Sequence, residues 1–308
     1  MKNQEVLREI LRIEQLYIRG SGYYELENFN LLIGAGQLVF LCEPDGLGGN
    51  ALADVFLGRQ SVFSGKLFLE GKPIIPQKEL SYEKEGIYVI SEDESMQPYM
   101  SVEENLFLSW KPYLFSPWFR KRSLRAMAGQ ILKKLDISIS PGTLVRRLSF
   151  EDRQLLKFAR AYCKGARLIV INGVMDVISE ARQYHLMELV EKMRRENIAV
   201  LCISQKVPEL SVLGDMLVLM KNGTKLWTML QPEINIQQAA RIYNSKITAF
   251  ERMAPSGRGG RLWLQRSGRR SELGVWQRAR DPERRCFQPE YGWRCSSTGS
   301  QRGGFRCG

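Results

Sequence analysis

Residues 38–58, LVFLCEPDGLGGNALADVFLG, run from an apolar segment through a glycine-rich turn into a second apolar segment. This order is typical of a loop whose backbone N–H groups bind phosphate, with the pattern G-x-x-x-x-G-K-[ST]. In that pattern the lysine neutralises phosphate charge and the hydroxyl holds Mg²⁺. Here the turn glycines Gly46 and Gly48 are present, but Gly49 stands at the lysine position and Asn50 at the hydroxyl position.

Two acids, Glu43 and Asp45, lie in the same turn, where a phosphate would bring negative charge of its own. Like charges at such distances repel each other. The helix predicted at residues 50–57, with Ala51 in its first turn, still directs its N-terminus at the loop and favours an anion there. A glycine-rich turn that only joins a strand to a helix explains the same residues without any ligand.

The elements around this loop indicate an α/β domain. Residues 9–41 predict strands and turns, and residues 64–74 predict a hairpin. The continuous apolar runs at 167–171 and 198–204 are typical of strands that are buried on both faces of a parallel sheet. Strand, helix and strand in succession then predict a parallel core.

Helices are predicted between about 101 and 165 and through 181–197, because apolar residues recur there at a spacing near 3.6. Ser101 and Glu104 have the spacing of a capping box and predict the start of the first of these helices.

Positive charge is concentrated at one end of the chain. The net charge is +12, and residues 251–308 supply 8 of it, with 13 Arg, 5 acidic residues and no Lys. The body of the chain is close to neutral, so the overall charge does not by itself indicate a nucleic-acid-binding protein. We therefore predict a body at 1–250 and a separate tail at 251–308.

The tail has two interpretations. SGRGGR and QRGGFR are similar to arginine–glycine segments that bind RNA. Arg, Gly, Trp and Cys without Lys are also typical of a reading frame that has shifted, and such a tail would be disordered. The composition favours the second interpretation.

Residues 10–245 resemble the nucleotide-binding domain of ABC transporters, and are similar to the first ATPase half of the simple-sugar importers of the ribose, galactose and xylose type. The stretches that carry the resemblance are FSGKLFLEGKPI, QPYMSVEENLFL, LSFEDRQLLKFARAY, KGARLIVINGVMDVIS, VLCISQK and DMLVLMKNGTK, in the family's order. The resemblance implies a P-loop NTPase-like α/β fold, in which a mixed sheet core carries an antiparallel β subdomain and a helical subdomain.

The resemblance also assigns positions. Asn172 and Gly173 replace the aspartate that holds Mg²⁺ and the glutamate that polarises the attacking water. An amide lacks the charge that a hard cation prefers, and glycine offers no base. Glu92 stands at the position of the glutamine that senses the γ-phosphate. The stretch VLCISQK corresponds to the family's switch strand, and in it Gln205 stands at the position of the family's switch histidine. The single histidine, His185, lies elsewhere and is expected to be an ordinary helix residue.

The stretch LSFEDRQLLKFARAY corresponds to the family's signature sequence. It keeps Ser149 but has Glu151 where the family's glycine would contact the γ-phosphate across a dimer. We expect no catalytic residue and no metal ligand. ATP and Mg²⁺ are implied by the family, with weak or absent binding. The positions that correspond to nucleotide contacts are Gly46, Gly48, Gly49, Asn50, Ala51, Glu92, Ser149, Glu151, Asn172, Gly173 and Gln205.

The resemblance implies a subunit of a carbohydrate import system that is inactive or nearly so as an ATPase. It would act as a structural or regulatory partner of a membrane permease and a second nucleotide-binding half, without direct contact with sugar or nucleic acid. With no long apolar run and no secretory signal, it is predicted to be cytoplasmic, at the inner face of the membrane. The alternatives are an active ATPase with unusual ligands, an RNA-binding protein that uses its tail, and the product of a decayed gene.

Overall fold

The computed structural model describes residues 8–20, 23–74, 82–92, 96–108 and 121–243, and the predicted tail at 251–308 lies outside these residues. The described strands form one sheet of ten in the order β5-β4-β1-β2-β10-β9-β3-β8-β7-β6. Their bounds are β1 Glu9–Arg19, β2 Tyr24–Gly34, β3 Leu38–Cys42, β4 Ser64–Leu69, β5 Lys72–Ile74, β6 Ile87–Ser91, β7 Leu168–Asn172, β8 Ala199–Ser204, β9 Met216–Lys221 and β10 Thr224–Leu230.

The sheet has a parallel and an antiparallel part. β9, β3, β8, β7 and β6 pair in parallel. β1, β2, β4 and β5 pair antiparallel, and a single parallel pair, Thr224 with Glu27, joins β10 to β2. The predicted mixed sheet with an antiparallel β subdomain is therefore confirmed.

Burial on both faces explains the apolar strands. Every residue of β3, β6 and β8 is buried. Along β3, Phe40 packs into a cluster with the helices α4 Phe150–Cys163 and α6 Glu180–Arg195, while Val39 and Leu41 pack into a second cluster with the helix α1 Leu47–Phe56 and the antiparallel strands. A parallel strand between two such layers requires apolar residues at successive positions.

The predicted helical segment contains α2 Val102–Phe107, α3 Lys121–Lys134 and α4. The capping box is confirmed, because the Ser101 N–H donates to Glu104 Oε2 at 2.7 Å and the Glu104 N–H donates to Ser101 Oγ at 3.3 Å. α2 and α3 are joined by Glu103, which is fully buried and accepts two hydrogen bonds from the exposed Arg125 guanidinium, at 2.8 and 3.2 Å.

Within the described ranges, none of the helices combines the length and the apolarity that are needed to cross a bilayer.

Candidate functional site

Most of the predicted site residues lie at the carboxyl edge of the parallel strands, whereas Ser149 and Glu151 lie at the start of α4. The glycine-rich loop follows β3, Asn172 ends β7, and Gln205 and Glu92 come directly after β8 and β6. Side chains at this edge of a parallel sheet meet in the crevice where ligands bind in open α/β folds. The topology thus brings together residues that are far apart in the sequence.

The loop turns through Gly46, whose backbone is left-handed at φ 68°, a conformation that favours glycine. α1 then begins at Leu47, so the predicted start at residue 50 is wrong by three residues. The extra turn of helix forms because side-chain oxygens of the loop itself accept hydrogen bonds from first-turn N–H groups, which otherwise have no partner within a helix.

Glu43 supplies one of these acceptors and is almost wholly buried, with 1% of its surface exposed. Its Oε2 accepts the Gly49 N–H at 2.9 Å, and its Oε1 accepts the N–H of Gly223 at 2.7 Å. Gly223 lies in the turn between β9 and β10, so this carboxylate joins two separate segments of backbone.

Asp45, at the surface, likewise accepts one backbone N–H from α1 and one from the β9–β10 turn. Its Oδ1 accepts the Leu47 N–H at 3.2 Å, and its Oδ2 accepts the Asn222 N–H at 2.8 Å. The pKa of Glu43 is raised to about 6, chiefly by burial and to a lesser extent by the neighbouring Asp45 carboxyl group, while the hydrogen bonds from Gly49 and Gly223 act in the opposite direction. The two acids therefore form a coupled pair inside the loop.

Gly49, at the lysine position, has no room for a side chain in this backbone. A Cβ there would lie 2.6 Å from Ile203 Cγ2 and 3.4 Å from Leu41 Cδ2. Real Cβ contacts are longer than the first of these, and Ile203 is a buried residue of β8. The packing of α1 on the sheet therefore leaves no space for a lysine or any other side chain at this position.

Asn50 and Asn172 contact each other directly, since Asn172 Nδ2 donates to Asn50 Oδ1 at 3.1 Å. In the family that this chain resembles, these two positions hold the magnesium ion. Here they carry two neutral amide side chains that hydrogen-bond to each other. Asn172 Oδ1 is buried, and among the described residues it has no hydrogen-bond partner. Gly173, which follows, has φ 71° and begins the short helix α5 Val174–Val177 in a left-handed conformation that disfavours a glutamate.

The switch segment is held by Asp176, a residue that the sequence did not single out. The Ser204 hydroxyl donates to Asp176 Oδ1 at 2.7 Å, and the Gln205 N–H donates to Asp176 Oδ2 at 2.9 Å. Gln205 Nε2 lies 3.1 Å from the place that a Cβ on Gly46 would occupy. The switch position therefore does reach the loop, with an amide at its end.

The remaining predicted residues lie apart from this cluster of contacts. Glu92 is exposed, directly after Ser91, whose carbonyl accepts a hydrogen bond from the buried Lys157 at 2.6 Å. Ser149 caps α4 by accepting the Asp152 N–H at 3.0 Å. Glu151 lines a small pocket between α4 and α6.

The other residues of that pocket include His185, which is partly buried on α6 as expected. In the part of the chain that the structure describes, no group of three or more His, Cys, Asp or Glu side chains is arranged to hold a metal ion.

Sequence comparisons relate the chain to a known family. Residues 26–172 match the family model of the ABC transporter. The ribose import ATP-binding protein RbsA of Rhodopirellula baltica is 27% identical over 226 residues, which are 73% of this chain and 44% of that protein. The xylose import ATP-binding protein XylG of Photobacterium profundum is 28% identical over 205 residues, 66% of this chain and 40% of that protein. The chain thus spans less than half the length of these curated relatives.

Solved structures show the same fold. The ADP conformation of MJ1267, an ATP-binding cassette of an ABC transporter, superposes with a TM-score of 0.65 at 20% identity, over 77% of this chain and 98% of that one. A nucleotide-free ATP-binding cassette superposes with a TM-score of 0.64 at 22% identity, over 76% and 98%. Residues 26–172 therefore match the ABC transporter family model, and the described part of the chain has the fold of an ATP-binding cassette, as the resemblance predicted.

Proposed function

We propose that this chain is a subunit of a simple-sugar import system that no longer hydrolyses ATP itself. The sugar class is inferred from its relatives, which are ribose and xylose import ATP-binding proteins. At the cytoplasmic face of the membrane, the chain would complete a pair with an active ATPase half and transmit motion to a permease, without binding the sugar.

The hydrogen bond between Asn50 and Asn172 carries this proposal, because it joins the two positions at which the family binds magnesium. Mg²⁺ requires near-octahedral oxygen ligands and is usually held through carboxylates and phosphates. Two neutral amides that bond each other do not fit that requirement. Gly173 has no side chain to act as a base.

Charge in the loop supports the same conclusion. Proteins accelerate phosphoryl transfer almost entirely by positioning and by stabilising negative charge. Gly49 provides no cation, and the coupled carboxyl groups of Glu43 and Asp45 oppose the charge of a triphosphate. The residues present do not fit Mg–ATP, so no hydrolytic step is derived for this chain.

A structural role remains open to the domain because its helical part keeps ordered contacts. Buried Glu103 ties α2 to α3 through Arg125, and α2 itself contacts α4 through a packed apolar cluster. A subunit of this kind can hold an active partner in place while lacking turnover of its own.

Hydrolysis by the purified full-length chain with Mg–ATP tests the first part of the proposal. We expect turnover no higher than that of the Asn172→Ala variant, and no effect of chelating Mg²⁺. Turnover that is lost in Asn172→Ala and on chelation would show that the site is active.

Sugar uptake by vesicles tests the second part, with a simple-sugar permease and an active ATPase half present. Uptake should require this chain but should be equal for the wild type and Asn172→Ala. Uptake that is independent of the chain, or that is abolished by Asn172→Ala, would contradict the proposed role.

A further inference from the structure

We infer that Glu43, assisted by Asp45, is a built-in anionic ligand of the glycine-rich loop, so that the loop is closed by its own carboxylates and admits a phosphate compound only when the Glu43 carboxylate is withdrawn. This inference rests on the proposed function in taking the loop as a former nucleotide site. It adds to that proposal an autoinhibitory contact at a named atom.

The donors of the loop converge on these two side chains. α1 has ten residues, and in its first turn the N–H groups of Leu47 and Gly49 both donate to loop carboxylates. In a phosphate-binding loop, such N–H groups are the ones that bind the anion. The negative oxygens that satisfy them here belong to the chain itself.

Glu43 is buried and hydrogen-bonded by backbone N–H groups, as a bound anion would be, whereas a surface acid would be in contact with solvent. A carboxylate that is only 1% exposed is costly unless its oxygens are hydrogen-bonded. Both oxygens of Glu43 have backbone donors, one from each side of the crevice, at 2.9 and 2.7 Å. Oriented N–H groups of this kind form an anion-binding concavity, and Glu43 fills it.

The contact also ties the loop to a second segment. Asn222 and Gly223, in the β9–β10 turn, donate to Asp45 and Glu43 respectively. Gly223 is packed tightly there, since a Cβ on it would lie 2.3 Å from the Glu25 carbonyl oxygen of β2. Withdrawal of the Glu43 carboxylate would therefore remove one of the two hydrogen bonds that join the loop to this turn, which couples anion entry to the hairpin.

Magnesium-free inorganic pyrophosphate is the probe that tests the inference, with binding to the full-length chain followed by calorimetry and thermal shift. Glu43→Gly removes the internal ligand, and Glu43→Gln keeps its size without its charge. Glu188→Gln, at an exposed position of α6, is the charge-matched control.

We expect no binding by the wild type or Glu188→Gln. Both Glu43 variants should bind at least about tenfold more tightly than the wild type, because a charge within a few Å of the anion is removed. A hundredfold excess of pyrophosphate over its Kd should raise the Tm of Glu43→Gly by about 5–10 °C.

Two results would overturn the inference: binding of pyrophosphate by the wild type as tightly as by the variants, or folded Glu43 variants that do not bind it. If neither variant folds, Asp45→Asn decides, because it leaves both Glu43 hydrogen bonds in place. Because Glu43 still closes the loop in Asp45→Asn, an affinity no higher than that of the wild type supports the inference, and tight binding of pyrophosphate by Asp45→Asn overturns it. Since no ATP is hydrolysed in this experiment, its outcome is separate from the turnover and uptake tests of the proposed function.

Discussion

Polar residues have different roles in two regions of the molecule. One region is the carboxyl edge of the parallel strands with its glycine-rich loop, called the loop edge here, and the other is the helical segment α2–α4. In the helical segment, Ser101 and Ser149 cap helices, and only the cap at Ser101 was predicted, from its spacing to Glu104. At the loop edge, Glu43 and Asn172 form hydrogen bonds with residues of the glycine-rich loop, namely Gly49 and Asn50. The same physical demand, that polar groups be satisfied, therefore stabilises helix ends in one region and, on the proposed function, takes up the donors of a former ligand site in the other.

The backbone at the loop edge is adapted to these replacements. Gly173 has φ 71°, and the space of a side chain on Gly49 is taken by Ile203. Restoring a single family residue at either position would meet strain before it recovered any chemistry. This difference from the helical segment leads to four predictions.

The largest effect is expected from Gly49→Lys, which should reduce the free energy of unfolding by about 3 kcal/mol, because overpacking and a buried ammonium both cost stability. Urea denaturation measures the change. Gly129→Ala in α3 is the matched control from the other region, since its Cβ would meet only Pro141 Cγ, at 3.8 Å. That variant should gain about 0.5–1 kcal/mol. Equal effects of the two substitutions would show that the loop edge has no special packing.

The raised pKa of Glu43 should be detectable in the pH dependence of the free energy of unfolding. Its folded-state pKa of about 6 lies above the ordinary 4.5, so the protonated form is favoured by folding. The stability that it contributes is present below pH 4.5 and is lost as the pH rises through 6. Between pH 4.5 and 7 the wild type should lose about 2 kcal/mol more than Glu43→Gln. Urea titrations at both pH values measure this, with Glu188→Gln following the wild type; parallel curves for the wild type and Glu43→Gln would rule out the buried titration.

Local sequence patterns predicted the strands and helices of the domain, because continuous apolar strands and the Ser101–Glu104 capping box are encoded by neighbouring residues. The contacts of the site are not local. Asp45 meets Asn222 across 177 residues, and Glu43 meets Gly223 across 180. The sequence identified both acids as unfavourable to phosphate, but it could not show that they cap α1 and move its start to Leu47. Asp176 was missed for the same reason, since its role depends on β7 lying beside β8.

Removing the helix caps should have a smaller effect. Ser149→Ala and Ser101→Ala should each cost about 1 kcal/mol in urea denaturation, as the loss of a serine cap does in other helices. Ser149→Asn should retain most of the stability, because asparagine caps equally well. A stable Ser149→Ala would mean that this serine of the signature is retained for some purpose other than capping α4.

The smallest effect concerns the amide pair itself. A double-mutant cycle of Asn50→Ala and Asn172→Ala should give a coupling free energy of about 0.5–1 kcal/mol, the usual value of one neutral hydrogen bond. Because neither amide is charged, the coupling should not change on adding Mg²⁺ or on raising the salt concentration. A coupling that grows with Mg²⁺ would mean that the two side chains turn their oxygens toward a cation. In that case the loop edge would have to be regarded as a working metal site with unusual ligands, and its contrast with the helical segment would disappear.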